Sequence, residues 1–510
     1  MNDLLAPASS IVAICTINRA GCLPRTLAAV RLLRPPPSHI LVVAGPCTDH
    51  TDEVLARARS YVSVLRCPEP NLALARNLAL EAAATPILAF LDDDAVPEPD
   101  WLWHLLRAFA DESVAAAGGP IRDRSGIAWQ SRRLAVDGLG RRRPLDDSQP
   151  LKPDETLSLT GAGFAVRREA ALAVGGFDHA YTYYLEETDL QRRLARAGWR
   201  LAFVPEAEVH HEFAASALRT DDRIPRDLRP LGRSLAYFIS RHAPPGPDRE
   251  DAIRRRLEED FRERQSRLDR LVARGRLDAD TAARLLAGLR DGHAEGLALA
   301  ARSPPSRPVL RRVPLIAEAT STHDPPPEPR RIAIVLPVPS EVTAATAEAL
   351  RLPRRLAERG HQVTLISGRA KRPSVRFRRG LWRHRLGPAK LRDRALGPRR
   401  APRAFLADAL AELLRVQPHR DAQLLVVLDR LPGRMVLLPL GAQWATAGHQ
   451  TLAGHVLAAL QDPRRTGEGA ISVAQAPNAD EAVAKILAAL ADQSALLPLP
   501  PFSTAAIGRR

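Results

Sequence analysis

Residues 88–94, Leu-Ala-Phe-Leu-Asp-Asp-Asp, carry an apolar run directly into three consecutive carboxylates. Like charges at a strand end repel one another unless a cation shares them, and hard divalent metals favour carboxylate oxygens. A strand that delivers Asp92 and Asp94 into a cleft is therefore a candidate holder of Mg²⁺ or Mn²⁺ bound to a substrate phosphate. On this stretch alone, a solvated acidic turn punctuated by Pro97 and Pro99 fits equally well. A second group, Glu186-Glu187-Thr188-Asp189-Leu190, sets three carboxylates at the start of a helix. Helical spacing puts Glu187 on a face with Leu190 and Leu194, and Glu186 on a face with Asp189 and Arg193. With the apolar face inward, Glu187 is the less solvated carboxylate, its pKa raised toward that of a useful base. Acidic capping of a helix N-terminus is the competing reading.

The elements that must position these groups read as an α/β domain over residues 9–240. Strands are predicted at Ile11–Cys15, Ile40–Val43, Tyr61–Leu65 and Ile87–Leu91, and helices at Leu23–Arg34, Asp52–Arg59, Leu72–Ala84 and Trp101–Phe109. Strands joined by such crossovers are parallel, and ligands collect at their C-terminal ends, where both Thr16–Arg19 and Asp92–Asp94 fall. A helical hairpin is predicted over 241–301, from Ile253, Leu257, Phe261 and Leu268 at helical spacing and Gly275 as a C-cap. Eight prolines in 302–330 mark an extended linker. A smaller Rossmann-like α/β domain over 331–493 opens with the strand Arg331–Pro337. A helix at Leu350–Arg359 and a strand at Gln362–Ser367 follow it. Further strands are predicted at Leu424–Leu428 and Val436–Leu440, and helices at Ala404–Arg415 and Asp480–Ala491. The tail 494–510 reads as disordered.

Composition narrows the function classes. At 510 residues the chain holds two or three domains. Its first residues lack a basic region before an apolar core, so no signal peptide is expected. No stretch reaches the ~20 apolar residues of a membrane span. The four cysteines, Cys15, Cys22, Cys47 and Cys67, lack metal-type spacing, which points to reduced thiols in a cytoplasmic protein. The net charge is +16, and residues 369–403 hold fourteen Lys or Arg against the one acid Asp393. That run suits peripheral contact with an anionic membrane; with only Phe377 and Trp382 interleaved, no specific nucleic-acid partner is expected.

Five ordered motifs raise the reading of the acidic triplet above a plain turn. They are Ile-Cys-Thr-Ile-Asn-Arg (14–19), Val-Val-Ala-Gly-Pro-Cys-Thr-Asp-His-Thr (42–51), Asn-Leu-Ala-Leu-Ala-Arg-Asn (71–77), Phe-Leu-Asp-Asp-Asp (90–94) and the segment 175–194, from Gly-Gly-Phe-Asp to Tyr-Leu-Glu-Glu-Thr-Asp-Leu-Gln-Arg-Arg-Leu. In this order they resemble the family 2 glycosyltransferases, which have the GT-A fold. The resemblance implies a metal-dependent, inverting transfer of a sugar from a nucleoside diphosphate to a hydroxyl acceptor, in cell-envelope or polysaccharide synthesis. It implies Thr16, Asn18 and Arg19 beside the nucleotide base and phosphates, Arg76 near the nucleotide, and Asp49 at the donor or as a helix cap. Asp94 would be the direct metal ligand, with Asp92 or Asp93 reaching the ribose, or the metal through water. The family's base aligns with Glu187, leaving Glu186 and Asp189 as alternatives. His211, with Ser216 five residues on, would complete the metal or diphosphate site, and Gly161, Gly163 and Ser216 would face the acceptor, a glycan or a lipid-linked one. Where many members carry Asp after the Val-Val pair, this chain has Ala44, so no uridine specificity is implied.

Two other classes compete. A sugar-phosphate nucleotidylyltransferase has a related fold but a Gly- and basic-rich loop after its first strand, where this chain has Asn18-Arg19-Ala20-Gly21-Cys22. A binding or scaffold protein would act through the basic C-terminal half. About 36 residues from Arg331 resemble the opening of GT-B glycosyltransferases, in a motif generic to βαβ units.

Overall fold

The computed structural model describes residues 10–302 apart from 147, 148 and 182. Of the C-terminal part it describes 331–336, 349–369, 372–378, 380–386, 405–406, 408–413, 424–428, 433–439, 472–476 and 478–494. The linker expected at 302–330 and the tail expected at 494–510 lie outside the described residues but for their first positions, as do residues 387–403 of the basic run. The chain divides into two compact units, the first reaching Thr322 and the second formed by the remainder with Ser125–Ile127.

The first unit runs β1 (Ser10–Thr16), α1 (Leu23–Val30), β2 (His39–Ala44), α2 (Thr51–Ala58), β3 (Ser63–Arg66), α3 (Leu72–Ala82), β4 (Ile87–Leu91), β5 (Ala95–Pro97), α4 (Trp101–Ala108), β6 (Val114–Gly118) and β7 (Ile121–Arg122). It continues through β8 (Trp129–Ser131), β9 (Leu134–Val136), β10 (Arg142–Pro144), β11 (Thr156–Ser158), β12 (Gly163–Arg167), α5 (Arg168–Ala173), α6 (Glu186–Arg196), β13 (Arg200–Phe203), β14 (Val209–His211), α7 (Arg229–His242), α8 (Arg249–Ala273) and α9 (Ala279–Arg302).

The main sheet has the order β13-β6-β12-β4-β1-β2-β3. β4, β1, β2 and β3 are parallel, and β12 runs antiparallel between β4 and β6. A strand such as Ile-Leu-Ala-Phe-Leu in β4 is buried throughout because helices cover both faces, so its apolar run is continuous rather than alternating. Alternate residues of β1 feed different cores: Val12 and Ile14 pack with Leu27 and Leu105, and Ile11 and Ala13 pack with Leu80 and Leu190. The arrangement is α/β, as the sequence predicts. The predicted helix at Leu23–Arg34 stops at Val30, ahead of Pro35-Pro36-Pro37, and Arg34 N donates to Pro99 O instead. The small sheets β5-β14-β7-β8 and β10-β9-β11 carry strands of two or three residues, too short for a periodicity signal.

Three helices close the unit. α7 lies against α9 at glycine distance: a Cβ on Gly292 or Gly296 would stand 2.2 Å from the carbonyl oxygen of Arg229 or Arg233. The predicted hairpin is thus α8 and α9, with α7 added, and α9 runs on to Arg302.

In the second unit a seven-stranded sheet centres on Arg331–Leu336, parallel to Gln362–Arg369 and to Leu424–Leu428. Leu381–Leu386 is parallel to Gln362–Arg369, while Ser374–Arg378, Gly433–Pro439 and Ser472–Ala476 are antiparallel to their neighbours. Helices Arg351–Glu358 and Ala479–Ser494 share a core with this sheet, through Leu352, Leu356, Val483 and Ile486. The second of the two late strands starts at Gly433, three residues before the predicted Val436.

Candidate active site

The acidic triplet sits on the turn leaving β4, and the turn is fixed from two sides. Thr26 Oγ1 of α1 lies 2.8 Å from the carbonyl oxygens of both Asp93 and Ala95. Asp92 N donates to Ala162 O at the entrance to β12 (3.2 Å). Asp93 and Asp94 are buried and Asp92 is half-buried. β14 brings His211 to the triplet by pairing with β5. His211 Nε2 stands 2.9 Å from Asp94 Oδ1 and 3.8 Å from Asp92 Oδ2. Its Nδ1 is 3.1 Å from Gln130 Oε1 on β8. Asp94 Oδ2 accepts the Ala214 N–H at 2.7 Å.

The electrostatics follow from this packing. Burial alone would raise the pKa of Asp94, yet the charge and hydrogen bond of His211 hold it well below the usual carboxylate range. Burial works against protonation of His211, and Asp94 outweighs it, so the His211 pKa is raised. Asp93 turns the other way, 3.4 Å from Arg19 Nε. Burial, with Asp94 adding to it against Arg19, pushes Asp93 up to about 7. The ligand atoms of Asp92, Asp94 and His211 lie within 4.8 Å of one another. Two carboxylates and an imidazole, unequally buried at a strand end, form a donor set that fits Mg²⁺ or Mn²⁺.

The loops after β1 and β2 are clasped together. Asn18, in the left-handed region at φ 54°, accepts with Oδ1 from Thr48 N (2.7 Å) and Asp49 N (3.2 Å). Asp49 accepts from Ala20 N (3.0 Å) and Thr51 N (2.9 Å), so both side chains shape this rim, and both are exposed on it. Thr16 is buried at the end of β1. Arg19 also donates to Ala215 O.

Three side chains of the third motif bond within the protein. Asn71 caps α3 by accepting from Leu74 N (3.1 Å). Asn77 clamps Phe177 by two backbone bonds of 2.8 Å. Arg76 is 2% exposed. It lies 5.5–5.8 Å from the rings of Phe90, Phe164 and Phe177. It donates to Glu186 Oε1 (2.7 Å) and Gly161 O (3.3 Å), and its Nη2 is 3.7 Å from Asp92 Oδ1.

α6 corrects the predicted ranking of the carboxylates. Glu186 and Asp189, each at 3% exposure, are the buried ones, and Glu187 is not. Leu190 and Leu194 do point into the core, but burial spreads beyond that face to Glu186, Asp189 and Arg192, because β11 and α7 flank the helix as well as the sheet. Arg76, 110 residues away, draws Glu186 inward, a contact that helical periodicity does not encode. Burial and the adjacent Glu187, offset in part by Arg76, raise Glu186 to about 7, and its Oε2 is buried with no hydrogen-bond partner. Glu187 is half-buried against Gly161, where a Cβ would lie 3.4 Å from the Glu187 carboxyl carbon and 3.0 Å from Arg76 Nη2. Asp189 is turned to α7: its carboxylate takes His242 Nε2 at 2.8 Å and Arg193 Nη2 at 2.6 Å. Gly163 is a packing glycine, its Cβ place filled by Val209 Cγ2 at 2.7 Å. Ser216 lies on the loop after β14 and accepts from Leu218 N (3.2 Å).

Sequence reasoning missed Gln130, whose three-residue strand gives no pattern, while it chose His211 over the adjacent His210. On β14 they face opposite ways, and His210 Nε2 meets buried Glu98 at 2.7 Å. It also missed Tyr183 and Arg219, which meet across the mouth of the cleft (Arg219 Nη1 to Tyr183 Oη, 2.7 Å).

This site and sheet belong to a known class. The family described as "Glycosyltransferase like family 2" matches residues 7–229. The N-acetylglucosaminyl-diphospho-decaprenol L-rhamnosyltransferase of Mycobacterium tuberculosis is 34% identical over 250 residues, covering 43% of this chain and 79% of that protein. The chain belongs to the family 2 glycosyltransferases. The pre-mycofactocin glycosyltransferase of M. tuberculosis is 33% identical over 204 residues, covering 38% of this chain and 41% of the relative, so the chain spans less than half the length of that protein. The structure of GalNAc-T7 with UDP, GalNAc and Mn²⁺ aligns with a TM-score of 0.37 and 21% identity, over 49% of this chain and 56% of that one.

Proposed function

We propose that the first unit transfers a sugar from a nucleoside diphosphate to a hydroxyl acceptor with inversion, dependent on Mg²⁺ or Mn²⁺. One observation carries the reading: Arg76 joins the Asp92–Asp94–His211 cluster on one side of the cleft to the Glu186–Glu187 pair on the other. Asp92, Asp94 and His211 would hold the ion, which supplies charge neutralisation for the diphosphate. Thr16, Arg19 and the Asn18–Asp49 rim would receive the nucleotide.

Glu187 is the base in this reading. It is the carboxylate of its helix start that lines the cleft without an ion-pair partner among the described residues. It takes the proton of the acceptor hydroxyl as that oxygen bonds to the sugar carbon. The bond from that carbon to the diphosphate oxygen breaks in the same in-line displacement, and the diphosphate leaves with its electron pair. Glu186, sealed and bonded to Arg76, orients the pair, and Asp189 anchors the helix. The Gly161 backbone and Ser216 border the acceptor side.

The named activities of the relatives favour a cell-envelope or polysaccharide product and a lipid-linked or glycan acceptor. No described helix is long and apolar enough to cross a membrane. The test is a panel of nucleotide sugars assayed for slow hydrolysis with Mn²⁺, Mg²⁺ or a chelator, since turnover to water needs no acceptor. Metal-dependent turnover of one donor is expected; turnover indifferent to chelation overturns the metal role.

A further inference from the structure

The loop after β14 carries charge that the site does not otherwise use. Phe213, at φ 57°, sets the edge of its ring against His211, with centroids 5.3 Å apart and planes at 72°. Two guanidiniums lie over that ring: Arg219 Cζ is 4.0 Å from the ring centroid and Arg223 Cζ is 4.6 Å. Both arginines are half-buried, and neither pairs with a carboxylate among the described residues. The neighbouring acids are engaged elsewhere, Asp221 with Arg124 and Asp222 with Arg276. Two partly desolvated cations close to one ring repel each other, and an aromatic face offsets only part of that cost.

Arg219 is held in place from both sides of the cleft. Its Nε donates to Ala214 O at 3.2 Å, and the N–H of Ala214 is the donor to Asp94 Oδ2. Its Nη1 donates to Tyr183 Oη at 2.7 Å. Tyr183 precedes Tyr184 and Leu185, two non-glycine residues at φ 74° and 71° that launch α6 and its glutamates. Such strain persists only where the surroundings enforce it, here the burial of Leu185 and the Ser234 Oγ bond to Tyr183 O (2.7 Å). Nη2 of Arg219 has no protein acceptor among the described residues.

We infer that Arg219, backed by Arg223 across Phe213, is a binding residue for the diphosphate of the donor and product. A planar fork with two fixed nitrogens and one open edge matches a phosphate oxygen pair. Its link to Asp94 through the backbone of Ala214 sets it beside the metal ligands, where negative charge builds as the sugar–oxygen bond breaks. This rests on the transferase reading above.

The test measures calorimetric binding of Mn²⁺ alone, Mn²⁺ with pyrophosphate, and Mn²⁺ with UDP, GDP and dTDP. The proteins are full-length wild type, Arg219→Ala, Arg219→Lys and Tyr183→Phe. Wild type is expected to bind at least one diphosphate. Arg219→Ala should weaken that binding by about 10–100-fold, the scale of a charged hydrogen bond, while Mn²⁺ alone binds as tightly as before, which also reports a folded site. Arg219→Lys should fall between the two, and Tyr183→Phe should lose less than Arg219→Ala. Wild-type diphosphate affinity in Arg219→Ala overturns this inference and leaves the transferase reading standing. A wild-type protein that binds no diphosphate with Mn²⁺ overturns both.

Discussion

Asp94 does more than contribute a charge. One oxygen faces His211 and the other holds Ala214, so it ties the β4 turn to the loop after β14. Asp94→Ala is expected to abolish metal-dependent nucleotide binding, and full Mn²⁺-dependent donor affinity in that variant would remove Asp94 from the metal site. Glu187→Gln should leave donor binding nearly intact and cut transfer by roughly 10²–10⁴, the range for a positioned base. Glu186→Gln is the informative contrast, because burial raises Glu186 to about 7 against the pull of Arg76, so near neutral pH its protonated form is already well populated. A mild loss in Glu186→Gln beside a large one in Glu187→Gln supports the assignment; the reverse order moves the base to Glu186.

At the scale of elements, the four parallel strands were legible because each is a short, mostly apolar run bounded by turn residues, buried in β1, β2 and β4 and half-buried in β3, and the structure places them within two residues of the predicted ends. The turn residues of the site were legible because they stand at the ends of those strands. α6 was not, since its first carboxylate answers to Arg76 on α3 rather than to its own periodicity. Nor was the joint between α6 and α7, where His242 Nε2 donates to Asp189 while Nδ1 faces Arg196 Nη1 at 3.0 Å. A ring that accepts from an arginine at one nitrogen stays neutral, and burial with that guanidinium lowers the His242 pKa against the pull of Asp189. Burial would raise Asp189, but Arg193 and His242 together hold it at about 2.

Both shifts act in the same direction. A depressed folded-state pKa gives stability that is present above the unfolded value and lost as pH falls through the folded one. The His242 contribution therefore erodes below pH 6.5, and that of Asp189 between pH 3.8 and about 2. His242→Phe keeps the ring against Phe238 but removes the donor and the titration. It should cost about 2 kcal/mol at pH 7.5, the scale of a hydrogen bond to a charged group. Its denaturation midpoint should fall less than that of wild type between pH 6.5 and 5. Parallel curves would mean that His242 is not held neutral.

Over the whole molecule, every residue assigned to the site, from Thr16 to Arg219, lies in the first unit, which has its own cores on both faces of its sheet. The second unit has a separate core around Ile332, Ile334, Val363 and Leu424, and the family match ends at residue 229. Its four mutually parallel strands give it a Rossmann-like centre, but its remaining three strands are antiparallel. About 160 residues suffice for one such domain and not for the two that a GT-B enzyme needs. The sequence after the second unit's first strand, Pro337-Val-Pro-Ser-Glu-Val, has no Gly-rich phosphate loop, and it lies outside the described residues. Where the basic stretch is described, Phe377 and Trp382 are buried with ring centroids 5.4 Å apart, while arginines alternate with them along the strands. The second unit is therefore expected to position an acceptor or to meet an anionic surface, with no transfer of its own. Residues 1–302 expressed alone should retain metal-dependent donor hydrolysis, and residues 331–510 should have none. Donor turnover by the C-terminal fragment, or its complete loss from a folded N-terminal one, would place part of the reaction in the second unit.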